Sequence, residues 1–273
     1  MDISIGMEGF TTLLERGEIT LEGFLELAGV NGLGADGVDI YDGPWMRLQT
    51  HEDRARLHDL LDDNELLVAS YAVDAFFVSR DKNLVAGEIE KVRSALERAK
   101  GAGTDKLRVH GGPPCPGVSH AEGVEMTAEA LRQLMDDAQK HGIILALENG
   151  PEFPSTPADV MRIIGKIGSS FLRPLIDTGG FIAAGEDPVR AARELASTAV
   201  HVHMTDVETA DGKVVACPLG KGRLQIKQMV KALEVFHYKG FVSTHAPADS
   251  TEPKTMIEAG VKCLRKVLHK EWR

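Results

Sequence analysis

A closed (β/α)8 barrel is the fold this sequence predicts, and three observations carry the prediction. Short apolar runs alternate with longer amphipathic ones from end to end, about eight such pairs fill the chain, and no linker-like break interrupts them. With 273 residues, 43% of them hydrophobic, there is material for one large core. That unit count over this length favours a barrel, as one domain across residues 1–273, over an open doubly wound sheet.

The elements follow in order. Strands are expected at Ile3–Gly6, Gly37–Ile40, Leu66–Val73, Lys106–His110, Ile143–Glu148, Leu175–Asp177, Val200–Met204 and Gly240–Thr244. Runs such as "IILALE" are apolar on both faces, as strands between a core and covering helices must be. Helices are expected at Leu21–Gly29, Glu52–Asn64, Asn83–Lys100, Thr127–His141, Ala158–Ile167, Val189–Ser197, Ile226–Phe236 and Thr255–Leu268. Thr156-Pro157 and Asp187-Pro188 each set a capping side chain before a proline at the first helical position, and Gly142 after "QKH" is a helix stop. "GLGADG" (Gly32 to Gly37) spells the dinucleotide fingerprint. That motif needs a strand before it and a helix after it, whereas here the glycines follow a helix and precede the strand "GVDI", so a turn is predicted.

Composition narrows the function classes. The formal net charge of −10 argues against a broad nucleic-acid-binding surface. Cys115, Cys217 and Cys263 are far apart, odd in number and without a CxxC, as expected of reduced thiols in a cytoplasmic protein. "MDISIGMEGF" lacks the basic-then-apolar pattern of a signal peptide, and no run reaches the roughly 18 apolar residues of a membrane span.

In a barrel the side chains at the C-terminal strand ends surround one mouth, where active sites are built. The fourth strand ends "RVHGG" and offers His110, the fifth "LALEN" Glu148, the sixth "LIDTGG" Asp177, the seventh "HVHMTD" His203, and the eighth "GFVSTHA" His245. Carboxylates at the ends of apolar strands are costly unless a cation or hydrogen bonds compensate them, and Glu, Asp and His together supply donors for a divalent metal. Strand periodicity puts His201 on the same face as His203 but one layer deeper, as a structural neighbour. The loop "CPLGKGRLQIK" after the seventh strand carries Lys221 and Arg223, placed to meet an anionic substrate if the loop binds phosphate as barrel loops often do. "GGPPCPGVSHAEG" after the fourth strand is long enough to shape the pocket.

The motifs "LALENG", "LIDTGGF", "HVHMTD", "PLGKGRLQIKQMVKAL" and "GFVSTHA", in this order and spacing, resemble the xylose isomerase-like TIM-barrel superfamily. The resemblance runs from about the fourth strand to the C-terminus and is weak in the first hundred residues. It covers sugar-phosphate isomerases and epimerases, ketose 3-epimerases, inosose and dehydroshikimate dehydratases, and endonuclease IV. It implies one divalent ion (manganese, cobalt, zinc or magnesium, with manganese or zinc foremost) held after strands five to eight. Matched position by position, Glu148, Asp177 and His203 are the ligands, and relatives often form homodimers. It also implies proton transfer beside a carbonyl of a small sugar or cyclitol through a metal-bound enediolate, with Glu148 as ligand and general base. His110, by its strand end, and Lys221 and Arg223, by their loop, are the residues expected toward the substrate, although the family usually has an acidic or apolar residue near Arg223.

Two positions depart from the pattern. His245 stands where a Glu would end strand eight, and Gly180 where many relatives carry a His. His245 is therefore expected as a fourth ligand or as the second acid/base. A two-glutamate epimerase is put in doubt, which brings a one-base lyase or dehydratase close behind the isomerase/epimerase reading. An endonuclease IV-like repair enzyme, which needs more ligands, and a non-catalytic barrel subunit are the remote alternatives. Neither nucleic acid nor membrane is expected as a partner.

Overall fold

The computed structural model describes residues 1–150 and 153–268. Eight parallel strands close a barrel: β1 (Asp2–Gly6), β2 (Gly37–Tyr41), β3 (Leu67–Ala72), β4 (Lys106–Val109), β5 (Ile144–Glu148), β6 (Leu172–Asp177), β7 (His201–His203) and, as eighth barrel strand, β10 (Phe241–Thr244), which pairs β7 on one side and β1 on the other. Helices between the strands cover the outside, and the strands are buried over most of their length, which explains their doubly apolar sequences. Ala and Gly allow close helix–strand approach. A Cβ on Gly260, in the helix Pro253–Leu268, would stand 2.0 Å from Thr244 Oγ1 on β10.

The expected local signals act as drawn. Thr156 caps the helix Pro157–Ile167 by accepting from the Asp159 N–H, Asp187 caps Pro188–Leu195, and Gly142 ends Met135–His141 at φ 69°. "GLGADG" is a turn between the helix Leu21–Ala28 and β2, with Gly34 at φ +63°. Gly32 lies so close to the end of that helix that a Cβ would come within 2.2 Å of the Leu27 carbonyl oxygen, which explains the glycines without any nucleotide.

Besides the short unpredicted helices Glu8–Phe10, Thr11–Glu15 and Thr178–Ala183, three features differ from expectation. The helix expected at Thr127–His141 is two helices, His120–Arg132 and Met135–His141. The first starts earlier because Ser119 and Glu122 form a capping box. The sixth strand runs back through Pro174 to Leu172. Proline removes only a donor, and its carbonyl still accepts from Val200 N–H at 3.0 Å. Between β7 and the next helix a hairpin stands out, β8 (Asp206–Ala210) paired with β9 (Lys213–Cys217), in a stretch whose alternation is too weak to signal strands. Among the described residues no helix is long and apolar enough to cross a membrane.

Candidate metal centre and active site

Glu148, Asp177 and His203 are the last residues of β5, β6 and β7, so one barrel rim presents all three side chains. One donor atom from each lies within 4.8 Å of the other two. His203 Nδ1 is 2.6 Å from Glu148 Oε1, while its Nε2 is buried without a hydrogen-bond partner. The Asp177 carboxylate also caps the short helix Thr178–Ala183, its Oδ1 accepting from Gly179 and Gly180 N–H at 2.9 and 3.2 Å and from the Thr205 hydroxyl. Asn149 fixes the same strand end, donating to the Asp177 carbonyl and accepting from its N–H, both at 2.8 Å.

Glu148 is buried and Asp177 half-buried, and two acids so close together call for positive charge. Burial and then the charge of Glu148 raise the Asp177 carboxyl above its usual range. Burial and then the neighbouring His245 lower the His203 imidazole, keeping it neutral and able to donate a lone pair. Burial opposes charge on Glu148 too, but Arg108, then His203, hold its carboxyl well below the usual range. Two oxygens and one neutral nitrogen fit a divalent ion of the manganese, magnesium, cobalt or zinc kind.

Arg108, a β4 residue only 5% exposed, is the main feature that the sequence reading missed. Its Nε lies 2.8 Å from Glu148 Oε2, an oblique approach, and its Nη1 donates to Asp74 Oδ1 at 2.9 Å. Nη2 is 3.7 Å from Glu8. Asp74 in turn meets His110 Nε2 at 3.0 Å and accepts from the Tyr41 hydroxyl. His110 Nδ1 accepts from Gly112 N–H at 3.0 Å, so both of its ring nitrogens are engaged. The available signal was an arginine inside the apolar run "KLRVHG", unusual for a buried strand.

Beneath the mouth a second network surrounds Asp39 of β2, which is 3% exposed. Ser70 donates to it at 2.6 Å and Ser4 at 3.3 Å, and Ser243 donates as well. His201, wholly buried, sets its Nε2 2.8 Å from Asp39 Oδ1, again obliquely. His245, just after β10, has Nε2 3.3 Å from Asp39 and Nδ1 3.8 Å from Glu8, with its ring 3.9 Å centre to centre from that of His203. Burial disfavours its charge, but hydrogen bonds and attraction to Asp39 and Glu8 outweigh that and push the imidazole up to about 10. His245 thus stands at the site expected of a fourth ligand with both nitrogens turned to carboxylates. Asp39, His201 and His203 also present donor atoms within 4.8 Å, but Asp39 already receives three hydroxyls and faces two imidazoles.

A cavity of about 420 Å3 opens above these groups, walled by Glu8, Asp74, Arg108 and His110 on one side and by Phe153, Val207, Ala216, Pro247 and Met256 on others. Glu148, Asp177, His203 and His245 all reach it. Lys221 and Arg223 do not: both are exposed on the loop after β9, outside the cavity lining.

The profile of the family described as "Xylose isomerase-like TIM barrel" matches residues 27–267. No curated protein matches the sequence. Among solved structures, the IolI protein with a binding zinc atom superposes with a TM-score of 0.80 at 17% identity, covering 99% of each chain. The probable 3-DHS dehydratase AsbF of Bacillus anthracis, involved in petrobactin synthesis, gives 0.78 at 18% identity, over 97% of this chain and 98% of that one. D-psicose 3-epimerase, solved in the presence of D-fructose, gives 0.76 at 15% identity, over 98% and 99%. At these identities the likeness is one of fold.

Proposed function

The chain belongs to the xylose isomerase-like TIM-barrel family, and on that premise we propose that it is a divalent-metal-dependent isomerase or epimerase of a small sugar or cyclitol. The carrying observation is the convergence of Glu148, Asp177 and His203 at one barrel mouth, within 4.8 Å of one another. These three residues would hold the ion, manganese or zinc foremost. When bound, a divalent ion supplies positive charge that polarises a substrate carbonyl and acidifies the adjacent C–H.

The chain's own groups do the rest. Glu148 takes the proton from the carbon beside the carbonyl, and Arg108 keeps it ionised and oriented for that task. His245, raised by Asp39 and Glu8, is protonated at neutral pH and serves as proton donor and not as ligand. The Asp74–Arg108–Glu8 wall receives hydroxyls, and the apolar walls keep water from the reacting carbon. The three thiols, none in a disulfide, suit a reducing cytoplasmic setting.

A second reading, elimination of water by a lyase, is favoured by one observation. Sharing the cavity with Glu148 is an imidazole tied to two acids, which would pair a carboxylate base with an acid in place of a second base. Elemental mass spectrometry on protein prepared without chelator or nickel tests the common premise. About one divalent ion per chain, lost in Glu148→Ala, supports the site, and a folded chain that refuses manganese, cobalt and zinc sinks it. Incubation of candidate keto-sugars in D2O then separates the readings: deuterium gain at unchanged skeleton marks the isomerase, loss of water the lyase.

A further inference from the structure

The loops after the last two barrel strands are where barrels commonly seat a substrate phosphate, using backbone N–H groups of a glycine turn. In this chain that turn is spoken for. The Asp206 carboxylate, only 2% exposed, accepts from Gly220 N–H at 3.0 Å, Gly222 N–H at 2.9 Å and Leu224 N–H at 2.9 Å. It fills the cradle with an anion that belongs to the protein. A Cβ on Gly222 would come within 2.4 Å of Asp206 Oδ1, so the turn is closed down on the carboxylate with no space for a second anion.

The remaining cations give a substrate anion no better purchase. Among the described residues lining the cavity, Arg108 is the only Lys or Arg, and its guanidinium is already met by Glu8, Asp74 and Glu148, while the His245 ring, also in the lining, is already met by Asp39 and Glu8. The basic pair of the loop, Lys221 and Arg223, stays outside the lining. The Gly179 and Gly180 N–H groups, also at the wall, are held by Asp177. A phosphate or carboxylate entering the cavity away from the metal ligands therefore meets Glu8 and Asp74, an apolar wall, or the Arg108, His110 and His245 side chains that carboxylates already hold, and loses its hydration without an unengaged partner. Hydroxyl groups fit the same wall, because carboxylates accept from them.

From this we infer that the substrate is an uncharged polyhydroxylated compound, bearing neither phosphate nor carboxylate, and that Asp206 is the residue that turns the phosphate-type loop into one that needs no anion. The inference rests on the functional reading above only for the reacting carbonyl; the charge preference belongs to the cavity itself.

Isothermal titration decides it with matched probes: D-fructose, D-fructose 6-phosphate and a 6-O-methyl ether as bulk control, with myo-inositol and its 1-phosphate as a second pair. The neutral member of a pair is expected to bind at least tenfold tighter than its phosphate, with the methyl ether near the neutral parent. In Asp74→Asn, which frees one edge of Arg108, the ratio is expected to fall at least threefold. Equal or tighter binding of the phosphates, rejection of the methyl ether as strong as that of the phosphate, an unmoved ratio in Asp74→Asn, or failure of every neutral probe to bind would each overturn the inference. The ratio is measured with and without manganese. A chain that takes no metal yet keeps the ratio loses the functional reading and retains this one, and a metal-loaded chain that prefers phosphates does the reverse.

Discussion

Replacing Asp206 with alanine removes an anion that holds a whole loop, and its cost follows from the contacts. Four backbone N–H groups donate to the carboxylate, at 3.0 Å from Val207 and Gly220 and 2.9 Å from Gly222 and Leu224. The Val207 contact joins neighbours in sequence and contributes little to holding the loop. Each of the other three is a bond to an acid of roughly 1.5–3 kcal/mol. Gly220 is exposed and Gly222 half-buried, so water recovers part of those two, whereas Leu224 is buried and its N–H is orphaned. The net loss is about 3–5 kcal/mol, a large part of the 5–15 kcal/mol typical of a folded domain. At roughly 2–4 °C per kcal/mol for a chain of this size, the melting temperature falls by about 6–20 °C. Urea denaturation followed by circular dichroism measures the midpoint, and high formate is expected to recover part of the loss in the variant but not in the parent, since it refills the vacated cradle. A loss below about 1 kcal/mol, or identical formate responses, would refute the view that Asp206 organises this loop.

Other outcomes follow from the same contacts. Arg108→Met leaves Glu148, Asp74 and Glu8 without their shared cation, at a cost of about 3–5 kcal/mol. Because Arg108 holds Glu148 below its usual range, and after the His110 hydrogen bond helps hold Asp74 there too, its contribution exists above the unfolded carboxyl values and fades as pH falls, so the gap in urea midpoint between parent and variant should be wider at pH 8 than at pH 4. For His245 the sign reverses. Its imidazole is raised from 6.5 to about 10, so in chelator-treated protein its stabilisation is complete below pH 6.5 and lost as pH climbs toward 10. Thermal melts of parent and His245→Gln should converge over that interval, and parallel curves would contradict the assignment. Glu148→Ala should hold less than a tenth of the parent's metal by elemental analysis, while Lys221→Ala, outside the cavity, should leave metal content and polyol binding unchanged.

What the sequence determined was local or periodic. The barrel was legible in the alternation, the helix starts in Thr156-Pro157 and Asp187-Pro188, and the turn in "GLGADG", because capping and backbone freedom act over a few residues. Glu148, Asp177 and His203 were legible as candidates because strand ends in a barrel converge, so place along the strand already fixes which side chains share a mouth. The partners of those side chains were decided by tertiary structure alone. Arg108 meets Glu148 from the neighbouring strand, Asp39 gathers donors from strands across the barrel, and His245 is turned to Asp39 and Glu8 more than two hundred residues away. Lys221 and Arg223 lie in a loop of the kind that binds phosphate, yet the fold turns its amides inward onto Asp206 and leaves both cations outside. Charge on a residue is written in the sequence, but which opposite charge neutralises it depends on distance in a packed interior, and that is set only when the barrel closes.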